Sequence, residues 1–340
     1  MLAAWKGSPT VAFMAAFLVT LVITPWVKAL AWRCGAVAKP DVRRLHPEPI
    51  AQWGGIAIFL AVAVAALLWR QPTLKDARLL APSADPAAVQ ATAQSLTPHL
   101  STVFFGCGLL ILLLGMIDDR FELKPYLKFG GQILIVYLLW RAGVRIRSLP
   151  FTAGTHQLSD SASLALTMLW VLGLTNGINF IDGVDGLAAG VCAIAAGSLA
   201  IVETMKGATW AAAAAAAISG ASLAFLRYNF NPARIFLGDA GSMLLGFWLA
   251  TIAIAAAAKT AAATTLALPL LILGVPILDT LWAIVRRTLA GQPIWQADRG
   301  HLHHRLLARG LSPRKTVLFI YAVSALLGLT AVIWVAATQR

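Results

Sequence analysis

Apolar stretches separated by short polar gaps run the length of the chain, with apolar windows near 10–32, 51–69, 102–117, 125–141, 162–181, 186–202, 208–226, 240–258, 265–285 and 316–337. Each approaches the 17 to 25 residues that a helix needs to cross a bilayer, the shorter ones being completed by flanking residues. The pattern predicts an all-α integral membrane protein, a single polytopic domain over 1–340 with about ten transmembrane helices. Lys6 precedes the first window, which ends in Pro25, Trp26 and Lys28 rather than a small-residue cleavage site, so it reads as a first span and not a signal peptide. The gap at 70–101 carries Pro72, Pro82, Pro86 and Pro98 among Ala, Gln and Thr and reads as an irregular external loop with at most one short helix. The segment 286–315, rich in His and Arg, reads as a cytoplasmic loop. The Ala211 to Ala217 run supplies small residues for close helix contact.

Composition agrees: 59% hydrophobic residues, 12% charged and a mean hydropathy of +0.78 exclude an ordinary soluble globular protein. A net charge of +13 would suggest nucleic acid, but the basic residues are spread over loops at membrane edges rather than gathered in one patch. Anionic headgroups and phosphorylated substrates fit that distribution better. Most of the 27 Lys and Arg fall in odd-numbered loops, which places those loops in the cytoplasm and both termini outside, although Arg141, Arg145 and Arg147 lie on the other face. Cys34, Cys107 and Cys192 lack paired spacing, so neither disulfides nor a thiolate metal centre are expected; all three read as buried small residues.

Five polar segments carry the chemistry. Asp118 and Asp119 end the third window, where paired negative charge opposes the helix dipole unless a cation or basic group compensates it. A solvated helix end with Arg120 as ion-pair partner would account for the pair equally well. Asn176, Asn179, Asp182 and Asp185 recur every three residues and can converge only if the helix stops, a break that Gly183 and Gly186 permit. Capping explains one or two of these four groups, not all. Next, Asn229 to Ser242 sets Asp239 between glycines before the eighth window, where the helix-start amides could bind phosphate and Asp239 could cap the helix or ligate a metal. Phe236 offers a flat face for a base, or an interfacial anchor.

The fourth segment, Arg299 to Arg305, holds His301, His303 and His304; the tight spacing lacks zinc-site geometry, and the basic context favours phosphate. The fifth, Lys39 to Gly55, combines Arg44 and His46 with the Gly54-Gly55 pair, which permits close helix packing or backbone approach to a ligand. A charge-rich topogenic loop would look much the same.

Taken in order, Asp-Asp, Asn-x-x-Asn-x-x-Asp-Gly-x-Asp-Gly-Leu, Asn-x-x-Pro-Ala-x-x-Phe-x-Gly-Asp-x-Gly-Ser and His-x-His-His resemble the polyprenyl-phosphate N-acetylhexosamine-1-phosphate transferases from about Lys39 to Lys315. Gln52-Trp53, before the double glycine, departs from the smaller or aliphatic residues usual there. The His-x-His-His form resembles the branch that starts O-antigen, common-antigen or teichoic-acid linkage units. The resemblance implies transfer of a sugar 1-phosphate, most simply N-acetylglucosamine 1-phosphate, from a UDP-sugar to undecaprenyl phosphate in the bacterial inner membrane, at a cleft facing the cytoplasm. It implies Mg²⁺, with Mn²⁺ as an alternative ion, on Asp239 and Asp118; catalytic roles for Asp118, Asp119 and Asp239; and substrate contacts from Asn179, Asp182, Asp185, Asn229, Phe236, His301, His303, His304, Arg305, Arg44 and His46. No nucleic acid partner is implied, and a homodimer is compatible with such a bundle. Rival readings are the related peptidoglycan transferase, which acts on a muramoyl-pentapeptide donor, and a non-catalytic lipid-phosphate transporter or binding protein.

Overall fold

The computed structural model describes residues 8–38, 48–67, 86–148, 157–257, 267–291 and 300–338. Twelve helices and one two-stranded hairpin are found among them: α1 (Pro9–Cys34), β1 (Val37–Ala38), β2 (Ile50–Ala51), α2 (Gly54–Ala66), α3 (Pro86–Phe121), α4 (Pro125–Arg141), α5 (Asp160–Ile181), α6 (Leu187–Met205), α7 (Thr209–Asn229), α8 (Gly238–Ala257), α9 (Ala267–Ile272), α10 (Gly274–Leu289), α11 (Leu302–Ala308) and α12 (Pro313–Thr338). Seven of these are long and apolar enough to cross a membrane: α1, the His99–Phe121 part of α3, α5, α6, α7, α8 and α12. The protein is an all-α, multi-pass membrane protein.

Three expected spans take other forms. Windows 51–69 and 125–141 contain helices of 13 and 17 residues, α2 and α4. Window 265–285 is broken into α9 and α10, because Pro276 lacks the N–H that would bond back to Ile272. The 70–101 loop is helical from Pro86 onward, continuous with α3. Proline is tolerated at a first helical position, and the Ala and Gln that follow are good helix formers. Cys107 and Cys192 are buried as expected, whereas Cys34 is exposed, since α1 ends there at the left-handed cap Gly35.

Helix α8 is the axis of the bundle, packing against α2, α3 and α5, while α7 joins α1 to α6 and α12 lies along α6. Backbones approach to contact: a Cβ on Gly55 would stand 2.5 Å from Gly241 Cα, and one on Gly115 2.4 Å from Ala240 Cα. Small residues make this approach available, and dispersion between closely set helices replaces the hydrophobic force that lipid does not supply. The double glycine therefore serves helix packing. At the same end, Ala51 pairs in parallel with Ile235; Phe236 N donates to Ala51 O (2.8 Å) and Gly54 N to Phe236 O (3.0 Å), so the starts of α2 and α8 are tied together. Trp53 fills the wall beside them, buried, with Nε1 donating to Met116 O (3.2 Å).

Candidate functional site

The ends of α3, α4, α5 and α8 converge on one cluster of carboxylates. Gly238 adopts φ +69°, a left-handed backbone, and a Cβ there would lie 2.4 Å from an Asp119 oxygen, so glycine is required on both counts. Asp119 reaches across from α3 and accepts hydrogen bonds from Asp239 N (2.8 Å) and Ala240 N (3.2 Å). It caps α8 from another helix and answers that helix's positive end. The α8 amides expected as a phosphate seat are thus already engaged by a carboxylate.

Asp118, buried on α3, accepts from Leu123 N through Oδ1 (2.8 Å) and from Lys128 Nζ through Oδ2 (2.8 Å). The same ammonium lies 2.7 Å from Asp239 Oδ2 and 3.4 Å from Asn179 Oδ1. Asn179 Nδ2 donates to Asp239 Oδ1 and, at 2.9 Å, to Ser242 Oγ, whose hydroxyl bonds back to Gly238 O (2.9 Å). Three oxygens from three helices therefore surround one cationic nitrogen. The compensation required by the Asp-Asp pair is supplied by Lys128 for Asp118 and by a helix N-terminus for Asp119.

The expected break after α5 occurs: Asp182 caps the helix and Gly186 takes φ +81°. Asp182 is half-buried beside the cluster. Desolvation, then the charges of Asp239, Asp119 and Asp185, hold its pKa well above the usual carboxylate range. Asp118 and Asp239 share the single ammonium of Lys128, and the negative charge left over calls for a cation. Among the described residues no three His, Cys, Asp or Glu side chains form a ready cage. The cluster fits Mg²⁺ in donor type: all the groups facing Lys128 Nζ are oxygens, and Mg²⁺ is commonly bound by one or two carboxylates with water and substrate phosphate.

Other expected residues sit differently. Asp185 Oδ2 accepts from Asn231 Nδ2 (3.0 Å) and Ala233 N (2.9 Å), tying the α5–α6 turn to the segment before α8. Asn229 is buried, donating to Ile235 O (3.0 Å) within that segment, and Asn176 donates to Gln132 Oε1 (2.7 Å) below the cluster. These three brace the site. His301 lies beside Phe180 at the end of α5, with ring centroids 5.7 Å apart, and His303 is buried where a Cβ on Gly183 would meet its Nε2 at 2.7 Å. Burial, then repulsion from His304, lowers the His303 pKa to about 3, so the ring is neutral. His304 packs on His303 at 4.2 Å, Phe236 is half-buried and Arg305 is exposed. Arg44, His46 and Arg299 lie outside the described residues.

Lys128, Ser242 and Asp279 escaped the sequence reading as functional groups. Lys128 lies near the edge of an apolar window, where a lysine reads as a topogenic charge, although Lys128 and Gln132 lie four apart on one face of α4. Asp279 is an acid inside an apolar window, a signal of function in its own right.

Residues 101–257, which include the whole carboxylate cluster, match the family model described as glycosyl transferase family 4. Over 330 residues, 96% of this chain and 85% of the relative, the protein is 35% identical to the probable undecaprenyl-phosphate N-acetylglucosaminyl 1-phosphate transferase of Bacillus subtilis (strain 168). It is 36% identical to the decaprenyl-phosphate N-acetylglucosaminephosphotransferase of Mycolicibacterium smegmatis, with 91% of this chain and 77% of the relative covered. The undecaprenyl-phosphate alpha-N-acetylglucosaminyl 1-phosphate transferase of Escherichia coli (strain K12) is 23% identical, covering 92% and 80%. A match of this strength along nearly the whole chain establishes that the protein belongs to glycosyl transferase family 4.

Proposed function

We propose that the protein transfers N-acetylglucosamine 1-phosphate from UDP-N-acetylglucosamine to undecaprenyl phosphate, releasing UMP, at the cytoplasmic face of a bacterial inner membrane. A phosphate oxygen of the acceptor attacks the β-phosphorus of the donor, and the bond from that phosphorus to the UMP oxygen breaks. Phosphoryl transfer between anions asks the protein for alignment and charge neutralisation. The observation that carries the reading is the meeting of Asp118, Asp239 and Asn179 around one cation position. Asp239 and Asp118 would hold Mg²⁺, whose chemistry is to polarise phosphoryl oxygens and neutralise developing charge. Lys128 serves the same electrostatic end from the protein side. Each Asp118 oxygen accepts one hydrogen bond and keeps a second lone pair for the ion; the acceptor phosphate, with a second pKa near 6 as in phosphoserine, is largely dianionic at neutral pH without a base.

Purified protein in nanodiscs, given undecaprenyl phosphate and a panel of UDP-N-acetylhexosamines, should release UMP and put labelled sugar phosphate into extractable lipid, with UDP-N-acetylglucosamine the preferred donor and EDTA abolishing turnover. Use of a muramoyl-pentapeptide donor instead would assign the peptidoglycan reaction, and movement of lipid phosphate without UMP release a transporter. Orientation is tested in a Cys34→Ser background with Arg309→Cys: an impermeant maleimide should label it only after the inner face is opened.

A further inference from the structure

Asp279, on α10, is a buried carboxylate that belongs to neither the cation position nor the turn after α5. Its Oδ2 lies 2.8 Å from His301 Nδ1, and its Oδ1 accepts from Leu302 N at 2.8 Å. The imidazole is also held on its faces, by the tilted Phe180 ring at 5.7 Å and by the His303 ring, parallel within 2° at 5.9 Å. An ionised carboxylate can only accept, so the shared proton resides on Nδ1. Nε2 makes no hydrogen bond among the described residues. Capping α11 alone would not require a buried acid, because Ser, Thr or Asn does the same at lower desolvation cost. Spending a buried charge here makes sense if the ring it orients has work to do.

We propose that Asp279 is the positioning residue of His301: it holds the ring through Nδ1, keeps a proton there, and its charge balances the second proton that Nε2 carries when it donates to the diphosphate of the UDP-sugar. This rests on the transferase reading above. Asp279→Asn separates the two hydrogen bonds. The amide oxygen remains the acceptor for Leu302 N, which turns the amide N–H₂ toward His301 Nδ1 and drives the ring proton to Nε2 in a neutral ring. The cap survives while Nδ1 loses its proton and the ring its balancing charge.

Two measurements on the full-length protein in nanodiscs test this. Nitrogen-15 spectra of labelled histidines, with His301 assigned from a His301→Gln variant, should show a proton on Nδ1 in the wild type and a bare Nδ1 in Asp279→Asn. UMP-release kinetics should show kcat/KM down by about 10- to 100-fold in Asp279→Asn, the usual range for a group acting through another. In the His301→Gln background the same change should cost no more than about twofold, as coupled residues require. A proton kept on Nδ1 in Asp279→Asn, wild-type kinetics in that variant, or an equal loss in both backgrounds would overturn the proposal. Should Asp279→Asn fail to fold, Asp279→Glu takes its place: the displaced charge should keep the proton on Nδ1 and lower kcat/KM, and undiminished kcat/KM overturns the idea. Absence of turnover by the wild type with every UDP-sugar would instead sink the transferase reading, while the spectra still decide the Asp279–His301 pair.

Discussion

Helices α8 and α12 are both long enough to span a membrane, yet α8 is 94% buried over its most apolar window and α12 only 33%. The less buried helix is the more apolar, with hydropathy 2.3 against 1.8, and the same inversion separates the spanning part of α3 (2.4, 39% buried) from α7 (1.5, 83% buried). In a soluble protein the order would be reversed. Lipid is as apolar as leucine, so hydrophobicity does not choose which helix goes inside; closeness of packing does. Helix α8 accordingly starts Gly-Asp-Ala-Gly-Ser and continues with small residues among its large ones, whereas α12 turns Leu326, Leu329 and Ile333 outward. The inner helix, held on all sides, is the one against which the ends of α3, α4 and α5 assemble the charged site.

The comparison can be broken first at that end. Asp239→Asn removes one anionic oxygen from the cation position and should lower turnover by about 10³-fold, with retained folding seen by gel filtration. Arg314→Gln, on α12 at the same end of the bundle, removes a hydrogen bond to Asn231 O (3.1 Å) and should cost less than about 10-fold. Equal losses would erase the distinction between inner and outer helices. Packing is the next test. Gly115→Ala places a methyl against Ala240 Cα and should destabilise by about 1–3 kcal/mol in thermal unfolding.

A smaller, pH-dependent effect belongs to the segment between the two helices. His303 is neutral because burial holds its pKa near 3, while an unfolded imidazole titrates near 6.5. The folded state resists the proton, so its contribution is complete above about pH 6.5 and is lost as pH falls toward 3, at up to about 1.4 kcal/mol per unit. His303→Gln should flatten that part of the stability profile; an unchanged slope would show that the ring charges in place. Last comes the lipid face of α12, where Leu326→Ala should change stability by less than about 0.5 kcal/mol, because nothing in the protein packs over an exposed side chain.

Periodicity and local chemistry in the sequence determined a good deal: apolar windows that became helices, the stop after Ile181 followed by the left-handed Gly186, and the polar segments that hold Asp118, Asp119, Asn179, Asp182 and Asp239. These are consequences of neighbouring residues, and neighbours are readable along a chain. Tertiary structure decided the partners. Asp118 and Asp119 are adjacent and chemically identical, yet one faces Lys128 and the other the amides of α8, because their helix meets α8 at Gly115 and Ala240. It likewise turned Asp185 and Asn229 into braces and joined Asp279 to His301, 22 residues further on. Pairings of this kind depend on how close two backbones come, and hydropathy, which sums side chains one at a time, does not record that distance.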